Sequence, residues 1–307
     1  MNLNPFNQTE LFGLDKFFNE IIKLDELNIM PNKIILSGPK GTGKSTLAIH
    51  VINKILSNNE DYPYDVKNFK INEKNRSYKL ILNKSSPNFY HVDLKDDKKN
   101  IDIKQIRDLI NFCNKSSFNN KPRFILIDNV EFLNLNSSNA LLKVLEEPND
   151  NIYFILINNG KNILPTIKSR CINFNINLTF KESISIFNKI IKEDIFLHIN
   201  KDLINYYFTT GNLINLYKFS KESNINLSEL DLKNFLLEII NGNYYKKDTQ
   251  IKDLIYELIQ IFYLKKIKLN QDYDDYLSYV HFVNDVKKNN LDNENIFIKL
   301  KPKLIDG

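Results

Sequence analysis

The chain has 307 residues, of which 42% are hydrophobic and 26% charged. That is about twice a usual domain length, so two or three domains with real cores are expected and wholesale disorder is excluded. Lys plus Arg number 42 against 37 Asp plus Glu, a net charge of +5. Such mild basicity permits nucleic acid nearby without demanding it.

No run of about 18 apolar residues occurs, so no membrane span is expected. The start, MNLNPFNQTELFGLD, lacks a basic stretch followed by an apolar one, so no signal peptide is expected. Cys113 and Cys171 are too few for a disulfide framework or a four-cysteine zinc site. A reducing cytoplasm is the expected setting.

The predicted elements alternate in the first half. NKIILS (32–37) reads as a strand and KSTLAIHVINKIL (44–56) as a helix. Segment 59–87 is polar and weakly periodic, and reads as an insertion or a surface excursion. FYHVDL (89–94) is a strand and IDIKQIRDLINFCNK (101–115) an amphipathic helix. RFILID (123–128) is a buried strand. SSNALLKVLEEP (137–148) is a helix with Ser or Asn caps before it and Pro148 as its stop. IYFILIN (152–158) and CINFNI (171–176) are the last strands. Apolar strands alternating with helices predict an α/β fold with a parallel sheet covered on both faces. Beyond residue 177 only helices are predicted. KDLINYYFTT and NLINLYKFSKES lie in a first group, LSELDLKNFLLEII, TQIKDLIYELIQIFYLKK and DYLSYVHFVNDVKK in a second.

Eight glycines are present, and Gly38, Gly41 and Gly43 fall within six residues. GPKGTGKS (38–45) fits the phosphate-loop pattern G-x-x-x-x-G-K-[ST]. The loop predicted to bind nucleotide is Gly38, Pro39, Lys40, Gly41, Thr42, Gly43, Lys44, Ser45 and Thr46. Glycines let backbone N–H groups turn inward, Lys44 reaches β- and γ-phosphates, and Ser45 offers a hydroxyl to Mg²⁺. Asp128 ends a buried strand and suits the partner role toward Mg²⁺. The usual water-activating carboxylate follows that aspartate; here the residue is Asn129, and an amide cannot take a proton as a general base. Glu131 lies three positions beyond Asp128 and is expected to aim elsewhere. The four histidines show no metal-ligand spacing. The expectation is nucleotide binding without efficient hydrolysis.

Several segments together resemble the AAA+ clamp-loader family: LFGLDKFFNEII (11–22), RFILIDNVEFLNLNSSNALLKVLEEP and YFILINNGKNILPTIKSRC. The resemblance covers residues 11–176. It implies an AAA+ nucleotide-binding domain over 1–176, a helical lid over 177–226 and a helical oligomerisation collar over 227–307. It places Asn158 at the sensor-1 position and Ser169, Arg170 and Cys171 in the family's Ser-Arg-Cys motif. There Arg170 would be an arginine finger acting in trans on a neighbour's phosphates. Read by position alone, Arg170 better suits a surface arginine paired with a local carboxylate, and Asn158 could also be a polar residue ending a strand. The family's zinc module is missing and no zinc is expected; segment 59–87 would take its place. The sensor-2 arginine is also missing, since GNLI puts Ile214 there. Implied partners are gamma/tau and delta subunits in a hetero-pentamer, a beta sliding clamp and primer–template DNA. ATP or ADP with Mg²⁺ is the implied cofactor. Three functions remain open: a replication scaffold subunit, a self-sufficient gamma/tau-like ATPase, and a kinase of another P-loop class.

Overall fold

A computed structural model of the protein describes residues 4–95, 98–115, 119–147, 151–247, 249–268, 273–289, 300–302 and 304. The chain divides into two units, Met1–Glu182 and Ser183–Gly307. Among the described residues, no helix is long and apolar enough to cross a membrane.

The first unit holds a five-stranded sheet: β1 (Lys33–Ser37), β2 (Phe89–Val92), β3 (Arg123–Ile127), β4 (Ile152–Asn158) and β5 (Ile172–Asn175). The order is β2-β3-β4-β1-β5, and every pairing is parallel. Helices α1 (Asp15–Glu26), α2 (Lys44–Ser57), α3 (Arg76–Leu82), α4 (Ile103–Asn114), α5 (Leu135–Glu146) and α6 (Pro165–Lys168) complete it. Alternation along the strands supplies two cores. Ile34, Leu36, Phe124, Leu126, Ile155 and Ile157 join the core with Phe18, Ile22, Leu47 and Val51. Ile35, Ile125, Ile127, Phe154 and Leu156 join the other with Ile106, Leu109, Leu141 and Leu145. The strands are therefore continuous apolar runs because both faces are covered.

Local signals set the helix starts. The Asp102 side chain accepts from Gln105 N–H and forms a capping box for α4; Asn134 accepts from Ser137 N–H and starts α5. Pro148, the expected stop of α5, lies outside the described residues. At the other end of α4, buried Arg123 donates to three backbone carbonyls. Its Nη1 donates to Phe112 O at 3.2 Å and Lys115 O at 2.7 Å, and its Nη2 to Cys113 O at 3.2 Å.

Segment 59–87 differs from the expected surface excursion. It contains α3, and Tyr64, Ile71, Tyr78 and Ile81 are buried in the core of the α2 face. Tyr64 stacks on Phe18 at 5.1 Å. The apolar residues are spaced too irregularly to give a period, yet each finds the same core.

In the second unit, α7 (Phe180–Ile191) crosses the boundary and is followed by α8 (Thr210–Ser223), α9 (Leu232–Asn241), α10 (Tyr244–Lys247), α11 (Thr249–Lys268) and α12 (Tyr273–Asn289). Phe187, Leu213, Leu216, Phe235, Leu236 and Leu258 are fully buried. KDLINYYFTT is not the expected helix. Only Lys201–Leu203 makes a 3₁₀ turn, and Tyr206 and Tyr207 stay exposed at 80% and 89%. Thr209 then forms a capping box with Asn212, so the chain restarts as α8. Gly211 sits inside that first turn, and Ile214 is buried.

Candidate nucleotide site

The site lies at the carboxyl ends of the parallel strands, where ligands of open α/β sheets collect. The turn after β1 is the predicted phosphate loop. Gly38, Gly41 and Gly43 have φ of 148°, 85° and 85°, the backbone region that favours glycine. A Cβ on Gly38 would lie 2.3 Å from Ile176 O. The backbone N–H of Gly38 donates to Asn158 O at 3.2 Å, which ties the loop to the end of β4. Gly43 caps α2, so the loop feeds straight into a helix N-terminus.

Lys44 is buried, and its Nζ donates to Gly38 O at 3.0 Å and Pro39 O at 2.6 Å. Burial lowers its pKa to about 8, while the charges of Asp128 and Glu131 pull it back up. Glu131, expected to aim elsewhere, is thus close enough for its charge to act on Lys44. Its Oε2 also accepts from Asn159 N–H at 3.3 Å. Ser45 Oγ donates to Asp128 Oδ2. Burial raises Asp128 to about 6, opposed by the hydrogen bond from Ser45. Thr42 donates to Pro39 O at 3.1 Å and braces the loop.

β4 lies between β1 and β3, so Asn158 sits between the loop and Asp128, in register with Ser37. Its buried Oδ1 has no hydrogen-bond partner among the described residues. Asn129 adopts a left-handed conformation with φ 56°. Its Nδ2 donates to Asp93 Oδ1 at 2.7 Å, and its Oδ1 accepts from Asn159 Nδ2 at 2.9 Å. The three strand ends β2, β3 and β4 are thereby linked.

The residues fit a nucleotide phosphate with a divalent cation. The glycine-rich turn runs into the N-terminus of α2 and carries the Lys44 cation, which suits an anion, and the Ser45 and Asp128 oxygens lie together as hard ligands for a cation. Gly38 to Thr46 would cradle the phosphates, and Ser45 with Asp128 would hold the cation. Sequence reasoning missed Asp93. Ligand atoms of His91, Asp93 and Asp128 lie within 4.8 Å of one another, although no metal-ligand spacing was visible among the histidines. The period-2 pattern of FYHVDL, with the parallel pairing of β2 and β3, is the signal that places His91 and Asp93 beside Asp128.

Arg170 lies elsewhere, just past α6. Its Nη2 donates to Glu146 Oε1 at 2.6 Å and its Nη1 to Thr166 O at 2.9 Å. Burial raises the Cys171 thiol to about 11. Ser169 Oγ donates to Thr166 O at 3.1 Å.

Fold and site together define a P-loop protein of the AAA+ class. A family model described as DNA polymerase III, delta subunit, matches residues 14–179, more than half of the chain, and the chain belongs to this family. It is 30% identical over 139 residues to DNA polymerase III subunit delta′ of Pseudomonas aeruginosa, covering 45% of this chain and 40% of that protein. It is 35% identical over 159 residues to DNA polymerase III subunit tau of Bacillus subtilis, covering 51% and 27%. The chain thus spans less than two thirds of the length of these relatives. A gamma subunit-related protein of Thermotoga maritima superposes with a TM-score of 0.46 at 18% identity, over 92% of this chain and 99% of that one.

Proposed function

We propose that this chain is a delta-prime-type subunit of a DNA polymerase III clamp loader. In this reading the 1–176 domain binds ATP or ADP with Mg²⁺ for structure, and the helices of 177–226 and 227–307 act as lid and collar. Arg170 serves as an in-trans arginine finger for an adjacent gamma/tau subunit, in a hetero-pentamer with delta that places a beta clamp on primer–template DNA. Arginine suits this task because its guanidinium is a permanently charged planar fork. The observation that carries the reading is Asn129. It occupies the place of a hydrolytic carboxylate, and both ends of its amide are engaged by Asp93 and Asn159. Such a site holds nucleotide but has no general base at that position.

The test is a loader reconstituted with its cognate subunits. Arg170→Ala is expected to reduce clamp-stimulated ATP hydrolysis at least about tenfold. An unchanged rate would refute the finger assignment.

A second reading, a gamma/tau-like ATPase, is favoured by one observation: the complete Lys44, Ser45 and Asp128 set. Rapid ATP turnover by the isolated chain, abolished by Lys44→Ala, would establish it instead.

A further inference from the structure

We propose that Glu146 is the positioning residue for Arg170; this rests on the finger reading of Arg170. Arg170 follows α6 in a loop, and a long side chain there has many rotamers to lose before it can meet a phosphate. Two acceptors bias that freedom toward one rotamer. Glu146 Oε1 receives Nη2 at 2.6 Å, and Thr166 O receives Nη1 at 2.9 Å. Thr166 O is itself fixed, because Ser169 Oγ also donates to it. The guanidinium spends two of its five N–H groups on these acceptors, which leaves three for a ligand.

The carboxylate stands on the last residue of α5. The same helix end is anchored from the sheet, since Lys33 Nζ donates to Leu145 O at 3.0 Å. Leu141 and Leu145 are fully buried and lock the helix onto the sheet. The backbone that carries Glu146 is therefore held in place, and the C-terminal end of α5 adds negative charge there. Arg170 and Glu146 side chains are 32% and 54% exposed, so the pair faces solvent. An exposed pair is weak. It orients the arginine without competing with a multiply charged phosphate.

The expected consequence is loss of preorganisation without loss of the finger. In the reconstituted loader, with ATP as substrate, Glu146→Ala lowers clamp-stimulated kcat about threefold or more and leaves KM unchanged. Glu146→Gln, which keeps an acceptor, recovers part of that loss. Glu146→Ala/Arg170→Ala is no slower than Arg170→Ala, because Glu146 acts only through Arg170. Glu146 is more than half exposed, and intact assembly is verified by size-exclusion chromatography.

A Glu146→Ala loader as fast as the parent or faster, beside a slow Arg170→Ala loader, would overturn the proposal and leave the finger standing. Additive losses in the double variant would overturn it too. If Arg170→Ala itself has no effect, the finger reading falls first and this inference falls with it.

Discussion

Asn129 Nδ2 donates to Asp93 Oδ1 across 2.7 Å, joining the end of β3 to the end of β2. The donor is an amide at a position where a hydrolytic site needs a carboxylate. Its left-handed φ of 56° suits asparagine better than most side chains.

Asn129→Glu therefore does not create an ATPase. The new carboxylate would face Asp93 and could not donate to it. A loss of roughly 1–2 kcal/mol of stability is expected, with ATP turnover by the isolated chain still slow. Adding Asp93→Asn should return much of the stability. Urea titration and a turnover assay on both variants check this.

Asp128 gives the site a pH dependence. Its pKa is raised to about 6, so the carboxylate progressively loses its charge as pH falls through that value. A divalent cation needs the charged form. The gain in nucleotide affinity that Mg²⁺ confers should shrink as pH falls through about 6, and Asp128→Asn should remove it at any pH. Fluorescent ATP-analogue titrations with and without Mg²⁺ measure it.

His50 contributes to acid stability. It is fully buried, with Nδ1 2.8 Å from Tyr64 OH and Nε2 3.1 Å from Gln8 O. Burial depresses its pKa from 6.5 to about 4. Between those values the unfolded chain binds the proton and the folded chain does not, so stability rises with pH. The contribution is complete above 6.5 and is lost as pH falls toward 4, with a limit of about 3 kcal/mol. His50→Gln should flatten that slope in urea melts.

Arg123→Met should destabilise the first unit by roughly 2–3 kcal/mol, because Cys113 O and Lys115 O lose the guanidinium donor and Phe112 O keeps only the N–H of Lys115. Lysine should rescue only part, since one ammonium lacks the planar fork. Thermal melting of the two variants decides it.

Much of the first unit was legible in the sequence. Strands such as RFILID and IYFILIN are apolar runs long enough to be buried on both faces, and GPKGTGKS names its own ligand class by spacing. Other features were not. Tyr64, Ile71, Tyr78 and Ile81 follow no single period, so their burial became visible only with the shared core. The tyrosines of KDLINYYFTT suggested a helix face but meet solvent.

By itself, the sequence determined a parallel α/β sheet, a glycine-rich turn leading into a helix, an aspartate at the end of a buried strand and an amide directly after it. Local chemistry is enough for these, because each depends on residue type at short spacing. Only the tertiary structure decided which side chains meet across strands. The order β2-β3-β4-β1-β5 brings Asp93 to Asn129 and sets Asn158 beside the loop. The packing of α5 on the sheet puts Glu146 under Arg170, 24 residues away in the chain. Such contacts are set by which strand lies beside which, and no period in a single segment carries that information.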